Sequence, residues 1–269
     1  MKSAVLAIRI IGDATSAVAA MDKAKAASMT FKEGLNKASV AAGASLAAIG
    51  AGAKVCVDAA ADLQQSVGGV ETVFESSAGK MKQWSDNAAQ AVGLSKNEYN
   101  EFATLVGSQL QNFGMSVDES ADKTNELITL GADLSSMFGG TTADAVDALS
   151  AALKGEMDPI EKYGISLNDA TLKAQAASMG LGDLYKSGDR NAKMQATLAA
   201  ITAQSGKATG NFARESDTLQ GQQQRMAAAF ENTKATLGEA LLPILTQVAA
   251  KLAEFATWVQ QNTSWLVPL

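Results

Sequence analysis

The chain has 269 residues, with 22 Lys+Arg against 28 Asp+Glu, no histidine, one cysteine and three prolines. The missing histidine excludes a Ser-His-Asp or Cys-His nucleophile pair and an HExxH zinc site, and Cys56 alone builds neither a thiolate cage nor an internal disulfide. A net charge of −6 has the wrong sign for a duplex-binding surface, so no sequence-specific nucleic acid partner is expected.

The hydrophobic fraction is 47%, but alanine alone supplies about a fifth of the chain, which favours helices and gives a core little bulk. The expected fold class is all-α, with a short N-terminal strand, helical hairpins and a long C-terminal amphipathic helix. The opening MKSAVLAIRIIGDATSAVAA invites a signal-peptide reading, but Arg9 interrupts its apolar run and a strand is the better expectation. Only Ala4 to Ile8 remain, short of the about 7 to 15 residues such a region needs. A strand over Val5 to Ile11, then Gly12 and a helix capped by Asp13, accounts for residues 1–33.

Residues 34–66 read as an Ala/Gly-rich helix. Within it, Ala38 to Ala53 carries no charge, yet as a helix it would reach only about 24 Å, against the about 30 Å of a bilayer core. Gly43, Ala47, Ala51 and Ala44, Ala48, Gly52 form two lines of small residues that let helices approach closely. Packing in a bundle is the first reading of this segment; a triggered membrane contact is the second.

Residues 67–215 read as a compact helical domain. Helix starts are marked by a capping residue followed three positions later by an acid, at Ser95 with Glu98, Ser116 with Glu119, Thr141 with Asp144 and Ser166 with Asp169. Gly93, Gly114, Gly139-Gly140 and Gly164 mark the stops. Helical spacing nominates Tyr99, Phe102, Val106, Leu110 and Phe113, then Leu127, Leu130, Leu134 and Phe138, then Val146, Leu149 and Leu153 as core. Pro159 forces a turn, and loose stretches are expected at 180–189 and 206–210.

Residues 216–269 read as one long amphipathic helix. Met226, Phe230, Thr233, Leu237, Leu241, Ile244, Val248, Leu252, Phe255 and Val259 step by three or four, closer to an 11-residue period than to a heptad. Gly238 and Pro243 interrupt the pattern, with a kink expected near Glu239. The apolar end Ser264 to Leu269 suggests continuation in a longer parent protein.

No catalytic, cofactor-binding or metal-binding residues are nominated. Gly50-Ala51-Gly52-Ala53-Lys54-Val55 has Val55 where a dinucleotide fingerprint needs Gly or Ala, and Gly206-Lys207 lacks both the first glycine and the Ser or Thr of a phosphate loop. The acid pairs Asp58 with Asp62, Glu98 with Glu101 and Asp144 with Asp147 read as solvated helix faces rather than acid–base machinery. Glu156 stands in a turn without an aromatic sugar platform around it.

Three stretches carry a resemblance. Ala148 to Ile165, with Gly155-Glu156-Met157-Asp158-Pro159 and Tyr163-Gly164-Ile165, resembles a signature in the N-terminal region of tailed-bacteriophage tape measure proteins. Asp217-Thr218-Leu219 with Gln222 to Gln224, and Leu237-Gly238-Glu239-Ala240-Leu241-Leu242-Pro243-Ile244-Leu245, resemble later segments of that family. Asp62 to Phe74, leading on to Gly93-Leu94-Ser95, is similar to the part before them, so the likeness runs in order over about residues 55 to 250.

The resemblance implies a non-enzymatic virion protein of a phage or prophage. It would lie in the tail tube lumen, set tail length while the tube assembles, and leave before DNA ejection. Before assembly it would sit in the host cytoplasm. The implied partners are tail tube protein, tail assembly chaperones and further copies of itself. The chain departs from the family in length: even one continuous helix of 269 residues would span only about 400 Å. The alternative from another class is a secreted helical membrane-active or pore-forming protein.

Overall fold

A computed structural model describes residues 52–261, of which 83% are helical and none is in a strand, so this part of the protein is all-α. The chain divides between Ala53 and Lys54, and the described residues belong almost entirely to the second unit. The strand expected at Val5 to Ile11, nearly all of the Ala38 to Ala53 stretch and the apolar end after 261 lie outside the described residues.

Helix α1 occupies residues 52–74 and runs unbroken through 66–67, where the sequence suggested a domain boundary. A 3-10 turn, Glu75–Ser77, joins it to α2 (Ala78–Ala91), followed by α3 (Lys96–Asn112), α4 (Val117–Phe138) and α5 (Thr142–Lys154). Three of these starts are capping boxes as expected: Ser95, Ser116 and Thr141 accept from the backbone N–H of Glu98, Glu119 and Asp144, whose carboxylates accept in return. Gly93, Gly114, Gly139 and Gly155 end the helices with positive φ, a region in which a side chain would be strained.

The caps also set a pH dependence. Bonds from Ser116 and Thr141 hold the Glu119 and Asp144 carboxyls below their usual range. A depressed folded-state pKa means stability that is present above the unfolded value and lost as pH falls through the folded one. Acid titration should therefore fray the starts of α4 and α5 below about pH 4, and Glu119→Gln with Asp144→Asn should flatten that loss in circular dichroism.

After Gly155 the chain turns into the short α6 (Asp158–Glu161), with Pro159 in its first turn, where a missing N–H costs nothing. Helices α7 (Asp169–Ser178), α8 (Gly182–Ser187), α9 (Arg190–Ser205), α10 (Asn211–Arg214) and α11 (Leu219–Gln261) follow. The cap expected at Ser166 is displaced. The side chain of Gln204 takes both backbone groups of Ser166, accepting from its N–H at 2.9 Å and donating to its C=O at 3.0 Å. Asn168 caps α7 instead, accepting from the Thr171 N–H. The loose stretch expected at 180–189 holds the two-turn α8 between Gly180 and Gly188, both at positive φ.

The apolar side chains gather in two cores on either side of α4, α5 and α9. Phe74, Met81, Tyr99, Val106, Leu110, Ile128 and Val146 fill the first, while Leu134, Leu149, Ile160, Tyr163, Ile165, Leu172 and Ile201 fill the second. One face of α9, with Met194 and Leu198, serves the first core, and Ala192, Ala196, Ala200 and Ile201 serve the second. Of the residues nominated by spacing, Phe102, Leu130 and Phe113 pack at core margins, and Phe138 stays 46% exposed.

A buried carboxylate ties α10 to this framework. Asp133, 4% exposed, accepts from the backbone N–H of Gly210 at 2.7 Å and of Phe212 at 3.0 Å. Removing it leaves those donors without their acceptor, so Asp133→Ala should cost about 1–3 kcal/mol in urea unfolding. Asp133→Asn should cost less, because an amide oxygen still accepts.

Candidate functional surface

The acids singled out by spacing do not converge in the described region. Asp58 pairs with Lys54, Glu98 serves the α3 capping box, Glu101 accepts from Asn97, and Asp144 serves the α5 box. Glu156 is exposed in the turn before α6. Among the described residues no group of three or more Cys, Asp or Glu is placed to hold a metal ion. None of the described helices is long and apolar enough to cross a membrane.

The feature that stands out is α11, 43 residues in one helix, or about 65 Å. Gly238 and Pro243 do not divide it. Pro243 forfeits one backbone hydrogen bond, which a helix of this length sustains.

Gly238 serves packing. A Cβ built there would lie 1.8 Å from the carbonyl oxygen of Cys56 and 2.8 Å from the Cβ of Ala60, so α11 crosses α1 with backbone against backbone. The other described residues of α11 that are buried are also small: Gly221, Ala228 and Ala235, spaced by seven. Small residues at such intervals let two helices approach more closely than bulky ones allow.

Polar side chains fasten the first half of α11. Arg225 donates to three carbonyls, from Nε to Gln90 at 2.9 Å, from Nη1 to Ser216 at 3.0 Å and from Nη2 to Phe212 at 3.3 Å. Its guanidinium also stacks on the Phe212 ring, 4.5 Å from the centroid. Gln90 closes the last turn of α2, so the cation meets carbonyls that lack helical donors. Asn232 accepts from the Lys96 N–H at 2.8 Å, and Gln224 donates to the Gly140 carbonyl at 3.1 Å. Nothing in the local spacing around Arg225 announces this role, because its acceptors lie up to 135 positions away.

Arg225→Ala should cost about 1.5–3 kcal/mol in urea unfolding. Arg225→Lys should recover little of it, since an ammonium cannot reproduce the planar fork that spans the three acceptors.

With the small face turned inward, the bulky face is left outside. Leu219, Met226, Phe230, Leu237 and Ile244 are 74%, 67%, 63%, 52% and 55% exposed. At about 100° per residue they fall within roughly 20° of a single line along the helix, and the buried Ala228 and Ala235 lie roughly opposite. An uncovered apolar line of this length is the mark of an interaction surface. Compared with known proteins, the chain matches no family model, no curated protein and no solved structure.

Proposed function

We propose that the chain is the N-terminal, helical part of a phage or prophage tail tape measure protein, acting by packing and length, without catalysis or a cofactor. The observation that carries this reading is the line of uncovered apolar side chains from Leu219 to Ile244 on a helix fastened by its opposite, small-residue face. A protein that must lie against copies of itself, against chaperones before assembly and against a tube wall afterwards needs such a face kept out of its own core.

The resemblance over residues 148–165 adds support through the places its residues occupy. Leu149, Ala152, Leu153, Ile160, Tyr163 and Ile165 are buried, and Gly155 and Gly164 sit at positive φ, which supports a structural part for the stretch. Gly238, within the stretch 237–245, is the crossing point of α11 on α1. In this reading the protein waits in the host cytoplasm with its chaperones, becomes enclosed in the tail tube lumen, and departs ahead of the DNA.

Deleting the gene from the phage or prophage that carries it tests the proposal. Induced lysates examined by electron microscopy should contain heads and no tails of defined length, with tails restored by the gene in trans. Tails of unchanged length in the deletion strain would overturn it. Leakage of dye from lipid vesicles on adding the purified chain, with tails unaffected, would favour a membrane-active protein instead.

A further inference from the structure

A cavity of about 540 Å³ opens between the C-terminal end of α5, the end of α3 and the start of α9. Its volume lies in the range of sites that enclose one small molecule. Phe113, Leu172 and Met194 contribute apolar wall, and Lys154, Arg190 and Lys193 stand on its rim.

The rim is unusual for this protein. The chain is acidic overall, yet none of these three cations makes an ion pair among the described residues. Arg190 lies over the Phe113 ring at 5.8 Å and Lys193 over the Tyr185 ring at 5.9 Å, which holds both charges above aromatic surface. Asp169 is the acid on the wall; its carboxylate is held by Lys173 at 2.6 Å and by the Tyr185 hydroxyl at 3.3 Å, and the nearby charge of Lys193 also favours its ionised form. The cavity thus combines an apolar interior with an excess of positive charge at its mouth.

We propose that this cavity binds a free anionic amphiphile, a carboxylate carried on an alkyl chain. The chain lies against Phe113, Leu172 and Met194, and the carboxylate is held by Arg190 and Lys193, the guanidinium offering a two-pronged grip. Lys154, at the end of α5, adds further positive charge. The proposal is independent of the role assigned to α11, whose apolar line is flanked by no comparable cluster of cations among the described residues.

Dodecanoate, kept below its micelle concentration, is the probe, with amide chemical shifts of the full chain as the readout. Saturable shifts should appear at Gly155, Arg190 and their neighbours. Affinity should fall at least tenfold in the Arg190→Ala/Lys193→Ala double variant, whose side chains are exposed and whose fold is expected to be intact by circular dichroism. Dodecanol and dodecyltrimethylammonium should bind at least tenfold more weakly than the carboxylate. Leu172→Trp, which fills the cavity, should abolish the shifts. Shifts confined to α11, equal affinity for the cationic amphiphile, or no loss in the double variant would each overturn the proposal.

Discussion

Gly238→Ala lowers the stability of the chain by about 1–3 kcal/mol, although the same exchange in a free helix raises helix stability by about 1 kcal/mol. The opposite signs make the experiment decisive. A methyl group at 238 would sit 1.8 Å from the Cys56 carbonyl oxygen and 2.5 Å from its carbon, and these are backbone atoms of α1 that no side-chain rotation can clear. Either α11 lifts away from α1 or α1 shifts, and both loosen Ala60, which is buried at the same crossing. Urea unfolding supplies the magnitude, and hydrogen exchange supplies the place. Amides of α1 and of α11 between 228 and 240 should exchange faster in the variant, while those of α4 and α5 should not. A stabilised variant would show that α11 is undocked in solution and that the small face has another partner.

That crossing also shows where sequence reasoning reached its limit. The helix itself was legible, because apolar residues recur at helical spacing from Met226 onward and local rules suffice to see it. Which of its faces would be covered was not. Spacing marks an apolar stripe through Phe230 and Leu237 without saying whether core or a partner covers it; the structure leaves that stripe exposed and covers Gly221, Ala228, Ala235 and Gly238 instead. Gly238 looked like an interruption because a glycine's intrinsic cost in a helix is a local property. Its close approach to Cys56 is a property of a partner 182 positions away.

The same division between local and distant runs through the domain. Ser95, Ser116 and Thr141 reach donors three residues on, and the expected capping boxes are present. Ser166 has the same local pattern, but Gln204, 38 positions later, occupies its backbone groups and shifts the cap to Asn168. Asp133 reads as an ordinary helix carboxylate until the chain returns at Gly210 and Phe212 to donate to it. The cations at the cavity likewise come from α5 and α9, and nothing in either segment signals that the other is near.

Charging the outer face of α11 should abolish association of the chain with itself while leaving its fold in place. Phe230→Glu and Leu237→Glu replace side chains that are 63% and 52% exposed, so each should change unfolding stability by no more than about 0.5 kcal/mol. The effect on association is far larger. Full burial of a large apolar side chain contributes about 1.5–3 kcal/mol, and Leu219, Met226, Phe230, Leu237 and Ile244 each have half or more of their surface still to bury. Together they offer on the order of 5–10 kcal/mol per chain, enough to exceed the about 4–15 kcal/mol cost of association when two copies contribute. Two glutamates opposite their counterparts in a second copy remove the central part of that gain and add like-charge repulsion. Light scattering at micromolar concentration should therefore find the unaltered chain as an oligomer and the double variant as a monomer. Glutamates at Ala229 and Gln247, exposed and about 80° round the helix from the line, should leave the oligomer largely intact. A monomeric parent chain would remove self-association from the reading and leave the uncovered line to a different protein, which tail tube protein and chaperone, mixed separately with the parent chain and the double variant, would then identify or exclude.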